Sequence, residues 1–169
     1  MMRRTLNALY DSAAAVAALF MVGLLIAVLL SILGRQFHFH ISGIDAYAGY
    51  LMAGVASLAL AHTLKRGEHI RVTLFLNALK GRWKRALELW ALSLGTLLAG
   101  LYAWYCVRLA WLSHVYHDIS TSNDATPLWI PQIGMAAGAL ILAIAMLDEL
   151  VLEILGRRVV TDGEALRNE

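Results

Sequence analysis

The sequence predicts an all-α integral membrane protein with four transmembrane helices and both termini cytoplasmic, and three observations carry that prediction. Its residues are 60% hydrophobic and 15% charged, with a mean hydropathy of +0.65, more apolar and less charged than a water-soluble domain. Four apolar windows, at about 12–33, 44–64, 86–109 and 128–147, each supply the roughly 20 residues that cross a hydrocarbon core about 30 Å thick. Twelve of the 14 Lys and Arg residues fall on one side of these windows, leaving only Arg35 and Arg108 on the other. That asymmetry places the termini and the central connection inside. Membrane strands are excluded, because nothing alternates with a period of two over a strand's length.

The first window follows Arg3 and Arg4, but it is too long for a signal peptide and no small-x-small cleavage motif follows it before Arg35. It is expected to remain as a membrane helix. Arg35 then closes it, and Asp45 opens the second window from the far side of a short outer loop. The two are predicted to pair, at a worth of only about 0–1 kcal/mol if exposed. Tyr47, Tyr50, Trp104, Tyr105 and Trp129 fall near the outer interface and Tyr10 and Trp83 near the inner one, depths that rings with a polar edge prefer.

Small residues recur at helix-packing spacing. Gly49, Ala53, Ser57 and Ala61 form a ladder on the second helix, and Gly134 with Gly138 forms a GxxxG on the fourth. In lipid such ladders let backbones approach closely and drive association. The ladders serve either packing within this chain or a face for a partner. Between the second and third helices, Lys65-Arg66-Gly67-Glu68-His69-Ile70-Arg71-Val72 breaks the apolar pattern. The run from Val72 to Leu79 is too short to span and is predicted to lie along the inner surface, ended by Gly81. Thr126-Pro127 is expected to cap the fourth helix, with Pro131 absorbed in its first turn. Residues 1–156 form one membrane domain, and 157–169 are a polar cytoplasmic tail.

Several functions are disfavoured by what the windows lack. No ionisable residue lies in the middle third of a predicted helix, where proton relays and coupled carriers place an acid or base. Paired Gly/Pro-broken helices around a midplane site are also missing. The six histidines (His38, His40, His62, His69, His114, His117) all fall in loops or at helix ends, against a haem or metal centre and any cofactor. Cys106, the single cysteine, is read as a core residue. The net charge of +2 is a topology signal, with no nucleic-acid footprint. A four-helix redox subunit and an autonomous exporter are the competing readings, and both want intramembrane groups that this chain lacks.

At this point the residues resemble a known family, the small permease subunit of tripartite ATP-independent periplasmic (TRAP) transporters. Arg35 followed by Ile41-Ser42-Gly43-Ile44-Asp45 is similar to the family's arginine and acidic helix start. Lys65 to Val72 is similar to its basic-Gly-x-His-Ile-x-Val signature, and Pro127-Leu128-Trp129-Ile130-Pro131-Gln132 with Gly138 to the entry of its fourth helix. Thr73 departs from the acid or amide usual there. The resemblance implies a non-enzymatic subunit of the bacterial inner membrane. It implies two protein partners, a large membrane permease subunit that moves an organic acid on a sodium gradient and a periplasmic substrate-binding protein, with membrane lipids around them. Under it, Arg35, Asp45, Gly49, Ala53, Ser57, Lys65, Arg66, Gly67, Glu68, His69, Arg71, Gly134 and Gly138 are structural or interface residues, and no substrate site is expected in this chain.

Overall fold

Four helices, each long and apolar enough to cross a membrane, make up the architecture in the computed structural model, which describes residues 2–39, 41–65, 82–122 and 124–156. They are α1 (Met2–Phe37), α2 (Ile44–Lys65), α3 (Arg82–Val115) and α4 (Trp129–Ile154). Their centres match the apolar windows and their ends overshoot them. α1 has 36 residues and α3 has 34, about 54 Å and 51 Å at 1.5 Å per residue. The overshoot has a simple cause: a helix satisfies its own backbone hydrogen bonds, so polar helix formers such as Arg82 and Lys84 extend it past the hydrocarbon edge.

The helices stand in a row, not a ring. α1 packs on α2, α2 on α4 and α4 on α3; α1 touches α4 only marginally, and the α2 and α3 backbones do not meet. Burial follows this order. On α1 the least exposed positions are Tyr10, Ala13, Ala17, Phe20, Leu24, Ala27, Ser31 and Gly34, alternating steps of three and four that present one stripe to one neighbour. α3 does the same towards α4 through Ala103 and Cys106, with Ala99 buried one turn further along the same stripe. The inner helices α2 and α4 bury two faces each and run parallel, both starting at the end that carries the 38–43 and 116–128 loops.

Alanine dominates the buried positions, because in lipid the gain comes from close backbone approach and dispersion rather than from burying large side chains away from water. The closest approach of one helix to the backbone of another is at Gly138, where an added Cβ would lie 2.5 Å from the Ser57 carbonyl carbon and 2.7 Å from the Leu58 nitrogen. Ser57 is buried there and shares a 3.1 Å hydrogen bond with the Tyr102 hydroxyl of α3, a polar bridge across the face of α4. Thr96 Oγ1 donates to the Met146 carbonyl at 3.3 Å, tying α3 to α4. At the other end Arg85 reaches the last-turn carbonyl of Ile154 at 3.4 Å, a cation on the negative end of α4.

Gly138 and Ser57 therefore belong to packing inside the chain. A Cβ added at Gly134 would lie 3.6 Å from the Phe20 ring. Gly49 and Ala53, the loop-end half of the α2 ladder, are exposed, with nothing within 4 Å of the Gly49 Cβ direction. The expected Thr126 cap is corrected: the residue before α4 is Leu128, without a side-chain capping bond. Thr126 is drawn away because its carbonyl accepts from Ser120 N–H at 2.9 Å and its hydroxyl bonds Tyr47. Pro131 does lie in the first turn of α4, where its missing N–H costs nothing. The inner-surface segment, Arg66 to Arg71 of the charged stretch, and the tail lie outside the described residues.

Candidate functional site at the loop end

The loop end is built from helix terminations. α1 stops after Phe37, with His38 in the left-handed region at φ 56°. α2 starts behind Gly43 (φ 79°), whose carbonyl accepts from Ala46 and Tyr47 N–H at 3.0 and 3.1 Å. α3 closes with a Schellman motif: Asp118 N–H bonds the Ser113 carbonyl at 3.0 Å, and His117 N–H bonds that of His114 at 3.4 Å, with His117 left-handed at φ 54°. Glycine is free of the left-handed penalty and histidine is not. Replacing His117 with glycine is expected to stabilise the protein by about 0.5–1 kcal/mol, seen as a raised thermal midpoint in detergent.

The loop joining α3 to α4 folds back as a short clasp, with Ile119 bridged to Pro127 and Leu128 N–H on the Asp118 carbonyl at 3.0 Å. Two tyrosines from the first turns of α2 hold it. Tyr50 donates into the pair Ser120 Oγ (2.8 Å) and Asp124 Oδ2 (3.1 Å), and Tyr47 meets Thr126 Oγ1 at 3.0 Å. Their rings stack edge to face at 5.9 Å. Gly43 allows the contact, since a Cβ there would collide with Asp124 Cβ.

Burial pushes the Asp124 carboxyl upward, but bonds from Ser120, Thr126, Tyr50 and its own backbone outweigh this and hold it below its ordinary 3.8. A depressed folded value means that the unfolded chain takes up the proton first. The contribution is fully present above 3.8 and lost as pH falls through the lowered folded value. Thermal midpoints taken from neutral pH down to about pH 3 are expected to fall more steeply for the native chain than for Asp124→Asn.

Beside the clasp lies a cleft of ≈ 390 Å³ lined by Ser31, Arg35, His38, Asp45 and Ser122 among others. The predicted Arg35 and Asp45 pair is present, at 3.9 Å with side chains 79% and 76% exposed, and Ser31 donates to the other Asp45 oxygen at 2.8 Å. An apolar groove of ≈ 430 Å³ runs between α3 and α4 below His114, Trp111 and Trp129. His114 meets Trp129 edge to face at 5.2 Å. At the opposite end His62 lies 3.7 Å from Asp11. No group of three metal-ligating side chains occurs among the described residues.

Of the residues singled out in the sequence, the fold joins Arg35 with Asp45, and Ser57 with Gly138. It leaves Gly49 and Ala53 on the surface, and Lys65 ends α2. Tyr47, Tyr50, Ser120, Asp124 and Thr126 form a cluster that the sequence did not mark, because hydroxyls some 70 residues apart carry no periodic signal. No curated protein sequence matches this chain. The family model of the DctQ component of tripartite ATP-independent periplasmic transporters matches residues 24–156, from the middle of α1 through the clasp to the end of α4. The chain belongs to that family: it is the small component of a tripartite transporter, a membrane protein and not an enzyme.

Proposed function

We propose that this chain is a scaffold in the bacterial inner membrane. It steadies a large permease subunit that takes up an organic acid on a cation gradient, most simply sodium, from a periplasmic binding protein. Its termini and the Lys65 to Val72 stretch face the cytoplasm, and the clasp and cleft face the periplasm. The cationic count of the sequence supports that orientation. The cations Lys65, Arg66 and Arg71 of that stretch suit the phosphates of an inner leaflet.

The observation that carries the reading is the open row. Four helices in line enclose no path of their own, and each outer helix keeps one apolar side for lipid or another protein. Arg35 and Asp45 at the cleft are exposed charges suited to orienting a partner, since an exposed pair adds little stability. Proteoliposomes test this. Sodium-driven uptake is expected only when this chain, the large subunit and the binding protein are all present. Uptake by this chain alone would overturn the scaffold reading.

A further inference from the structure

α3 has two opposite faces of different character. The side on α4 is small, with Ala99, Ala103 and Cys106. The opposite side carries Trp83, Trp90, Leu97 and Trp104, one residue every seven positions and all strongly exposed, and the same spacing continues to Trp111, which turns to line the edge of the α3–α4 groove. Four of the protein's five tryptophans thus lie on one line of one helix. Lipid alone does not explain their depth. Trp90 and Trp104 fall about 13 Å and 8 Å from the helix midpoint, inside the roughly 15 Å half-thickness of hydrocarbon, which corrects the outer-interface depth expected of Trp104; indoles facing lipid collect at the interface, where the N–H finds a partner. No acceptor meets either indole among the described residues.

Arg108 stands one helical turn from both Trp104 and Trp111, at the hydrocarbon edge. Among the described residues it has no ion pair or hydrogen bond. A cation set into an apolar seam calls for an anion on the opposing surface. The outward side of α1 makes the contrast. Leu19, Val22, Ile26, Leu29 and Leu33 are aliphatic and exposed, with no tryptophan and no charge, which is what lipid accepts. Trp and Arg are the residue types enriched where proteins bind proteins.

We propose that this face of α3 is a seam for a helix of the large permease subunit. That helix presents an acidic side chain opposite Arg108 and hydrogen-bond acceptors to the buried indoles. The seam rests on the scaffold reading and adds which helix makes the contact.

The test is recovery of the co-expressed large subunit on this chain in mild detergent. The double substitution Trp90→Ala with Trp104→Ala, and separately Arg108→Glu, are each expected to cut recovery tenfold or more, while Leu19→Ala with Ile26→Ala on α1 leaves it unchanged. A benzophenone amino acid in place of Leu97 is expected to cross-link the large subunit and one in place of Ile26 is not, a readout independent of how the alanine variants fold. A native complex indifferent to the α3 changes, with no cross-link from position 97, would overturn the seam and leave the scaffold standing. Loss with the indole pair but full recovery with Arg108→Glu would assign Arg108 to lipid phosphate and overturn the acidic contact. No complex with the native chain would overturn both.

Discussion

Replacing Gly138 with leucine is expected to abolish the folded subunit, and not merely its assembly into the transporter. The opposing atoms are the backbone of α2 at Ser57 and Leu58, 2.5 to 2.7 Å from where a Cβ would stand, and a backbone cannot rotate aside as a side chain can. Even Gly138→Ala sets two effects against each other. Alanine is better than glycine in a helix by about 0.5–1 kcal/mol, while overpacking costs about 1–3 kcal/mol. With backbone as the obstacle the second wins, and a clear fall in thermal midpoint is expected. Gly134→Ala is the control: its Cβ would meet only the edge of the Phe20 ring at 3.6 Å, so the helix gain should dominate and the midpoint should rise. Equal midpoints for the two alanine variants would refute close packing of α2 on α4 at this point.

Gly43→Ala is expected to have the next largest effect, at the loop end of the fold. Two costs add there. The backbone is left-handed, at φ 79°, which costs a residue with a Cβ roughly 1–2 kcal/mol, and the methyl would collide with Asp124 Cβ and lie 2.9 Å from its Cα, worth about 1–3 kcal/mol more. Gly156 separates these terms: it is also left-handed, at φ 64°, but nothing lies within 4 Å. Gly156→Ala should therefore show the strain alone, roughly 1–2 kcal/mol. Limited proteolysis reads out the clasp directly. Cleavage between Asp118 and Thr126 should accelerate in Gly43→Ala and stay slow in Gly156→Ala.

How much of this was legible in the sequence varies with the physics involved. The four helices were legible because a hydrocarbon slab imposes a length, and 60% apolar composition left no other way to meet it. Their ends were not, since Arg82, Lys84 and the residues before Asp11 are as content in a helix as the apolar windows. Gly138 was legible as a packing residue, but its partner was not: a GxxxG announces close approach without naming the surface approached. The lateral order of the helices rests on such pairings, above all Gly138 on Ser57, and no periodicity encodes it. The pair of Arg35 and Asp45 could be read because a short loop brings its ends together. The Tyr47 and Tyr50 clasp could not, because both tyrosines already had an adequate explanation as interfacial rings. His38 and His117, weighed as ligands, turn out to end helices, a backbone task that composition does not reveal.

The row of helices also has a consequence for how the chain reaches its fold. α1 with α2 and α3 with α4 are each neighbours in sequence, so either pair can form within itself soon after insertion, at the small entropic cost of closing a short loop. Only the meeting of α2 with α4 joins distant parts of the chain. The protein is thus two halves with a single line of docking between them, and the Gly138 notch, the Ser57 to Tyr102 bridge and the tyrosine clasp all lie along or beside that line. Faulty halves could insert normally and still fail to meet, leaving a chain with all its helices in the membrane and no finished surface to offer a partner.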